Sequence, residues 1–281
     1  MNPTPTPTPT PVQRYMFSGQ ATGASARFNR LDETKNLNHI IPTLGASVLP
    51  ETGGVSTHKV ENYRFDVSEP RQRCLLSLKR AETTVEGRDP DGRFETELTV
   101  EVEQLEVVEK LHIDFLRLHL LAVRNNISED ATVSTTGNRI DGMRLGNVQV
   151  KVEFDDEPLN FTGADYQLAD FYRKQSDDYR KAHCWRFNTA SESKTLSRVG
   201  DHYRFSLVRN IELIGSEADL QPITVNGNRI HWKGFGRIIL GDVHVKGQER
   251  KVSIVRLDMG SDAGGSGSAG TGGSNGSGTT G

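Results

Sequence analysis

The chain has 281 residues, of which 34% are hydrophobic and 25% charged, and its formal net charge is −3 at pH 7. Because there is no basic excess, the composition excludes the electrostatic attraction to phosphate on which nucleic-acid binders and anionic-membrane binders depend. No apolar run approaches the roughly 18 residues that a membrane-spanning helix needs, so the sequence predicts no membrane span.

The two ends of the chain differ in composition from its middle. Residues 1–13 are dominated by a Pro-Thr repeat, which favours an extended arm, and residues 260–281 are almost entirely Gly, Ser, Thr and Ala, which predicts a flexible tail. Residues 14–259 remain for a single large β-rich domain, with two related halves split near residues 160–190 as the alternative. No basic region followed by an apolar stretch begins the chain, so we expect a cytoplasmic location, with non-classical export as the alternative.

After the arm, the chain has the pattern of strands separated by turns. Residues 15–28 indicate a Gly-punctuated strand or pair of strands, and residues 55–67 alternate weakly between apolar and polar side chains. The clearest hairpin joins residues 83–86 to a strand that begins at Phe94. Its tip contains Asp-Pro-Asp-Gly, in which proline fixes φ and Gly92 accepts the left-handed conformation.

The tip of this hairpin also contains the candidate metal ligands Asp89, Asp91 and Glu95. Carboxylate oxygens of this kind would suit a calcium loop. They lack the further acidic spacing of an EF-hand loop, and the turn already explains their presence. The sequence therefore predicts a turn here, and it predicts no cofactor.

Residues 94–123 form the longest apolar-rich stretch of the chain. Their first part alternates strictly between apolar and polar side chains, which is typical of an antiparallel strand with one buried face. The phase of the alternation then slips, and each slip requires a bulge or a turn. Three-four spacing leaves a helix as the alternative, but the β-branched residues favour two or three strands. His112 and His119, seven residues apart, would lie on opposite faces of a continuous strand or, two turns apart, on the same face of a helix.

The second half of the chain repeats the same kind of pattern around one helix. Residues 164–181 are the best helix candidate, because Leu168, Phe171 and Tyr172 form one apolar patch. Further strands are predicted on both sides of it, over residues 140–152, 202–214, 237–245 and 251–257. The tetrapeptide Gly-Asn-Arg-Ile occurs at residues 137–140 and again at 227–230, each time before a β-rich segment, which would fit two related sheets in one fold.

Four segments carry a resemblance to a known group of proteins: SGQATGASARF, VEQLEVVEKLHIDFLRL, GNRIDGMRLGNVQV and FGRIILGDVHVKGQERKVSIVRLDMGS. Their order resembles the layout of bacterial β-rich proteins of the choice-of-anchor P type, over most of residues 15–260. The resemblance implies a β-rich fold that ends in a strand pair before a Gly/Ser-rich tail. It implies no catalytic residues, and typical members carry a secretion signal that this sequence does not show.

Acidic residues are densest at Asp155, Asp156 and Glu157. A glycosidase needs two carboxyl groups that face each other across a cleft, whereas three adjacent acids after a strand are typical of a solvated loop. Two tryptophans, Trp185 and Trp232, the second next to His231, could line a site that stacks on a sugar. Cys74 and Cys184 have no metal-type spacing, and without a signal peptide we expect two separate reduced thiols.

We therefore predict an all-β fold, an antiparallel β-sandwich or jelly-roll-like architecture with one inserted helix near residues 164–181, and a β-solenoid as the alternative. Since no catalytic motif is present, we expect a non-enzymatic structural or interaction protein. Its partner would be protein, either copies of itself or a larger assembly. The alternative function is a carbohydrate-binding module or carbohydrate-active enzyme on the same scaffold, in which an exposed Trp185 or Trp232 would lie in a groove close to the acids at residues 155–157.

Overall fold

The computed structural model describes residues 14–32, 35–68, 72–125, 131–156, 184–185, 202–246, 249–259, 265–274 and 277–279. Within these ranges the chain is almost entirely β-strand, and the strand pairs are antiparallel. The predicted all-β fold is therefore confirmed. The predicted arm at residues 1–13 and the predicted helix at residues 164–181 lie outside the described residues, and the division into two related halves stays a prediction.

The strands of the first half, in chain order, are β1 (Arg14–Met16), β2 (Gly19–Asp32), β3 (Lys35–Val48), β4 (Gly54–Val67), β5 (Arg73–Arg88), β6 (Phe94–Val107), β7 (Leu111–Arg124), β8 (Thr132–Ser134), β9 (Arg139–Asp141), β10 (Met143–Leu145) and β11 (Val148–Phe154). Those of the second half are β12 (Cys184–Trp185), β13 (His202–Ser206), β14 (Val208–Ile214), β15 (Ile223–Asn226), β16 (Arg229–Trp232), β17 (Gly236–Lys246), β18 (Glu249–Met259), β19 (Gly265–Ser274) and β20 (Ser277–Thr279). A single turn of helix, α1 (Glu217–Leu220), precedes β15 and is capped by Ser216.

Two large sheets build the molecule. Sheet I has the strand order β14-β11-β10-β7-β6-β5-β4, with β8 and β9 also paired to β7. Sheet II has the order β12-β13-β17-β18-β19-β2-β3, with the β15–β16 hairpin attached to β17. The short strands β1 and β20 pair with each other. Antiparallel pairing throughout these sheets differs from the parallel stacking of a β-solenoid. The observed architecture is therefore the predicted antiparallel sandwich and not the alternative solenoid.

The two sheets pack face to face around one hydrophobic core. Buried apolar side chains from both sheets belong to a single cluster, including Leu98, Val100 and Leu118 of sheet I and Val255 and Leu257 of sheet II. Alternation along each strand sends these residues inward and polar residues outward. Among the described strands, the chain changes between sheets I and II four times: at the turn between β3 and β4, between β11 and β12, at Leu207 between β13 and β14, and between β14 and β15.

The stretch 94–123 forms the β6–β7 hairpin, as predicted from its alternation. One slip of phase is an irregularity at Gln104 of β6, whose φ is +49°, and the other lies at Asp114 and Phe115 of β7. Register is the same on both sides of these positions, since Glu103 pairs with Phe115 and Leu105 pairs with Ile113. The irregularity therefore affects both strands together.

This irregularity continues across sheet I as a bend. Asn62 in β4 also has a positive φ, of +52°, and the alternation of buried positions in β5 changes from Leu76 and Leu78 to Ala81, Thr83 and Val85. We call the row formed by Asn62, Lys79, Gln104 and Asp114 the bend line. Because each strand slips by one residue at the bend line, every strand keeps its apolar side chains on the inner face.

Two strands, β19 and β20, lie within residues 260–281, for which the composition predicts a flexible tail. Strand β19 pairs with β18 on one side and with β2 on the other, and β20 pairs with β1. Glycine has a low strand propensity, but a strand with neighbours on both sides can satisfy its backbone groups within the sheet. The adjacent β2 is also built of small residues, and a Cβ at Gly23 would lie only 2.8 Å from the Cβ of Ala81 in sheet I. Small side chains therefore suit this part of sheet II, where the two sheets approach closely.

Candidate functional site

A buried polar cluster lies where β7, the loop before β9 and the end of β11 meet. Its centre is Asn138, whose Oδ1 accepts a hydrogen bond from the backbone N–H of His119 at 2.9 Å. The amide Nδ2 of Asn138 donates to the Thr135 hydroxyl and, at 3.0 Å, to Oδ1 of Asp156. The Thr135 hydroxyl in turn donates to the carbonyl of His119. One asparagine thus joins three separate segments of sheet I.

The imidazole of His119 extends this cluster to the outer face of sheet I. Its Nε2 lies 3.0 Å from Oε1 of Glu97 on the neighbouring strand β6, and Glu97 also pairs with Arg88 at 3.4 Å. The other ring nitrogen, Nδ1, is buried and has no hydrogen-bond partner among the described residues. A histidine between a carboxylate and a buried polar loop is the arrangement closest to acid–base chemistry in the described part of the chain.

Burial raises the pKa of the Asp156 carboxyl above its ordinary value, and hydrogen bonds from Asn138 and from the backbone of Gly137 oppose that rise. The charge of Asp155 raises the pKa further, and His119 lowers it. The Thr135 hydroxyl and His119 Nδ1, which would serve as nucleophile and base, are both buried. Since a substrate could not reach them, the cluster holds the loop at residues 135–138 against β7 rather than presenting reactive groups.

Sequence reasoning identified Asp156 but missed Glu97, His119, Thr135 and Asn138. The repeated Gly-Asn-Arg-Ile tetrapeptide was the available signal. Its second copy places Asn228 in a similar buried position, where Nδ2 donates to the carbonyl of Leu240 at 2.7 Å. Both asparagines follow a glycine with positive φ and fasten a turn to a neighbouring strand. Each copy of the tetrapeptide therefore holds a turn against a neighbouring strand.

The other acids of the predicted group do not join Asp156 in a cleft. Asp155 is half-buried, and its backbone N–H donates to the carbonyl of Leu207 at 2.6 Å. Glu157 lies outside the described residues. Trp185 is described only by its backbone, which pairs with Arg204 of β13. The structure thus gives no pair of carboxylates across a groove in the described part of this region.

Trp232 lies at a different end of the sandwich from Asp156. Its half-buried ring packs against Phe235 with centroids 5.0 Å apart, and Nζ of Lys110 lies 5.7 Å from the ring centroid. Lys110 precedes β7, and His119 of the polar cluster lies nine residues further along, about 30 Å at the rise of an extended strand. His231 is exposed. The structure therefore does not bring Trp232 and the acids at residues 155–156 together.

Two of the three candidate metal ligands of the hairpin tip, Asp89 and Glu95, have other partners. Asp89 Oδ1 accepts the backbone N–H of Gly92 at 2.7 Å, which closes the turn. The Glu95 carboxylate pairs with Arg88 at 2.5 Å and with Arg93 at 3.0 Å. Over the described ranges, no group of three or more His, Cys, Asp and Glu side chains is arranged to hold a metal ion. Cys74 is buried and forms no disulfide bond.

Cross-strand ion pairs cover the outer face of sheet I. Arg80 of β5 lies 2.8 Å from Glu103 of β6, and His112 of β7 lies 3.3 Å from Glu106 of β6. The acidic strand β6 therefore lies between two strands that carry basic side chains. Such a face is solvated and close to neutral, so it provides no concentrated charge for a nucleic acid or a charged ligand.

The edges of the sandwich beside the turn at residues 49–53 have a different character. Strands β3 and β4 are the terminal strands of sheets II and I among the described strands, and each is 14 residues long. We call these two strands together the open edge. Ile40, Val48 and Val55 on the open edge are 62%, 66% and 62% exposed. They are three of the five large apolar side chains found exposed in the described residues, the others being Ile214 and Val225.

Comparison with known proteins identifies a family and no individual relative. In the part of the chain that the structure describes, no helix is long and apolar enough to cross a membrane. No curated protein and no solved structure matches the chain. A family model described as a domain of unknown function (DUF8256) matches residues 15–246, which is most of the chain, and the chain therefore belongs to that family.

Proposed function

We propose that the protein is a non-enzymatic interaction protein that binds other protein chains by strand addition at the open edge. The observation that carries this proposal is the concentration of exposed apolar side chains on β3 and β4. A monomeric protein normally protects its edge strands, because unpaired backbone N–H and C=O groups together with apolar side chains attract further strands. Here the edge strands are long and carry apolar residues, which suits a surface that is covered in an assembly.

Within the open edge, β4 offers the better template. Strand β3 contains Pro42, which removes one backbone donor, and its pairing with β2 is interrupted between Ala24 and Ala26. Strand β4 has no proline, and it pairs with β5 from Gly54 to Val67 with one shift of register, between Phe65 and Asp66. A partner strand that pairs with β4 would gain main-chain hydrogen bonds and would cover Val55.

Buried reactive groups in the polar cluster support the non-enzymatic part of the proposal. The cluster fastens a loop to β7, and its candidate base and nucleophile are shielded from solvent. A scaffold whose polar residues hold loops in place, and whose apolar residues appear at an edge, is suited to holding a partner. A tethered module of this kind would fit the resemblance to proteins of the choice-of-anchor P type.

The test is a comparison of two matched lysine substitutions. Val55→Lys places a charge on β4, whereas Val225→Lys places the same charge at an exposed valine of the β15–β16 hairpin, away from the open edge. Proteins captured by the tagged wild-type chain, including its own copies, should be lost with Val55→Lys and retained with Val225→Lys. Equal capture by the two variants, or capture of nothing by the wild-type chain, would contradict the proposal.

A carbohydrate-binding role is the second candidate, and Trp232 is the observation that favours it. Close to its half-buried ring, Gly146 is followed by Asn147, whose side chain donates to Asp219 at 3.3 Å. An aromatic ring beside an amide and a carboxylate is a common arrangement in sugar sites. Titration with neutral oligosaccharides should quench tryptophan fluorescence in the wild-type chain but not in Trp232→Phe. An unchanged spectrum at millimolar sugar would remove this candidate.

A further inference from the structure

We infer that the strand bound at the open edge is β4 of a second copy of this chain, paired antiparallel and centred on Val60. This inference depends on the proposed function, because it names the partner of the same edge. Such a pair has a two-fold axis at Val60 and joins the two copies of sheet I into one continuous sheet. Isologous contacts of this kind are the commonest way in which identical subunits associate.

Charge complementarity selects this partner. The outward face of β4 carries Lys59 and Glu61, which form an ion pair with each other at 2.6 Å. In an antiparallel pair centred on Val60, Lys59 of each copy lies opposite Glu61 of the other. Opposite charges directly across two strands stabilise the pair, so the sequence Lys-Val-Glu is complementary to itself when it is read in the reverse direction.

The same charges exclude the neighbouring registers. A pair centred on Lys59 would place two ammonium groups opposite each other, and a pair centred on Glu61 would place two carboxylates opposite each other. A pair centred between two residues before Glu61 would put inward-facing side chains opposite outward-facing ones, and a pair centred between Glu61 and Asn62, which aligns the two bends, would place Lys59 opposite Arg64, both of them positive. Of these registers, the one centred on Val60 is therefore the only one that places Lys59 opposite Glu61, and side chains of the same facing lie opposite each other over residues 59–61, up to the bend line at Asn62.

The inner side of β4 fits the same pairing. Val60 pairs with Ala81 of β5, which is fully buried, and Val60 itself is only partly buried against the hydrophobic core. A second Val60 across the two-fold axis would cover the exposed part of this side chain. The second ion pair of the outward face, between Arg64 and Asp66 at 2.8 Å, is also neutral overall, so β4 presents no net charge to repel its own copy.

Mixed-disulfide formation tests the partner and the register together. Lys59→Cys chains and Glu61→Cys chains are prepared separately, mixed in equal amounts and oxidised. Residues directly opposite each other in antiparallel strands have Cβ atoms about 4.5–5.5 Å apart, which is close enough for a disulfide with slight adjustment. The mixture should give a cross-linked dimer, while each variant alone should give roughly tenfold less or none. Each variant alone also controls for the native thiols.

Charge exchange provides an independent measurement on chains without added cysteines. Both positions are well exposed, so their substitution leaves the fold intact. Lys59→Glu or Glu61→Lys alone should weaken self-association in light scattering or sedimentation roughly tenfold, because like charges then meet twice across the axis. The double variant K59E/E61K should restore wild-type association.

Three results would overturn the inference. They are the absence of a cross-link in the mixture, equal cross-linking in one variant alone, and association that the charge exchange leaves unchanged. If the mixture does not cross-link but Val55→Lys still abolishes capture of other proteins, the partner is a different chain and the proposed function stands. If capture is also insensitive to Val55→Lys, the proposed function fails as well.

Discussion

Asn138 is the residue on which the polar cluster depends, because its single buried amide group serves His119, Thr135 and Asp156. Asn138→Ala leaves the backbone N–H of His119 and the carboxyl of Asp156 without this partner. Buried polar groups that lose their hydrogen bonds are costly, so we expect the free energy of unfolding to fall by about 2–4 kcal/mol.

The matched control for this prediction is Asn147→Ala. Asn147 is exposed and makes one hydrogen bond, to Asp219, so its loss should change stability by less than about 0.5 kcal/mol. Urea unfolding followed by tryptophan fluorescence measures both variants. Equal stability of the two variants would show that the cluster does not hold the loop.

Asp156 gives the cluster a pH dependence. Because burial raises its folded-state pKa above the ordinary value of 3.8, the folded chain binds more protons than the unfolded chain just above that pH. The contribution of Asp156 to stability therefore falls as the pH rises through this window. Asp156→Asn cannot lose a proton, so its stability relative to wild type should increase between about pH 3 and about pH 7.

Urea midpoints at several pH values measure this difference. The exposed Asp91→Asn, at the hairpin tip, is the control for the removal of one carboxylate. A difference between Asp156→Asn and wild type that stays constant with pH, or decreases as the pH rises, would contradict the direction of the pKa shift.

Little of the polar cluster could be predicted from the sequence, for a physical reason. Its members come from β6, β7, the loop before β9 and the end of β11, and their positions in the sequence show no periodicity. A hydrogen bond between Asn138 and Asp156 depends on how the loop folds back over β7, which local propensity does not specify. The sequence signal of the cluster was the repeated tetrapeptide Gly-Asn-Arg-Ile, which contains the buried asparagine.

Among the elements, the bend line determines which side chains reach each face of sheet I. The slip of phase in β7 occurs at Asp114 and Phe115, between the two histidines of that strand. A continuous strand would send His112 and His119 to opposite faces, but the slip sends both to the outer face, where they meet Glu106 and Glu97. The expectation from simple alternation is therefore wrong at this point, because it assumes a regular strand.

Gly142 allows the chain to pass the bend line beside Asp114. It has a φ of +62°, and a Cβ there would lie 1.9 Å from Oδ2 of Asp114. Gly142→Ala should therefore destabilise the protein more than Gly137→Ala, whose φ is +71° but whose Cβ would meet nothing within 4 Å. The conformational cost alone is about 1 kcal/mol in each case, and the clash adds to it only at Gly142.

The double variant G142A/D114A isolates the clash, since it removes the carboxylate that the new methyl group would meet. Its unfolding free energy should return toward that of Gly137→Ala, after allowance for the effect of Asp114→Ala alone. If Gly142→Ala and Gly137→Ala are equally stable, the close approach at the bend line is not a constraint.

At the scale of the whole molecule, local patterns identified most strands, and turn chemistry identified the hairpin between β5 and β6. Proline and glycine at residues 90 and 92 specify that turn whatever surrounds it. The neighbours of each strand in the sheets were not predictable. Strand β19 between β18 and β2 is the clearest case, because Gly/Ser composition alone indicates a coil.

Truncation after Met259 tests this part of the architecture directly. Without β19, strands β18 and β2 each lose a neighbour in the middle of sheet II, and their backbone groups are left unpaired. We expect the truncated chain to unfold at a much lower urea concentration than the full chain or to aggregate. Truncation after Ser274 retains β19 and removes only β20, so its midpoint should stay close to that of the full chain. If the chain truncated after Met259 unfolds with the same midpoint and cooperativity as the full chain, residues 260–281 are the flexible tail that their composition indicates.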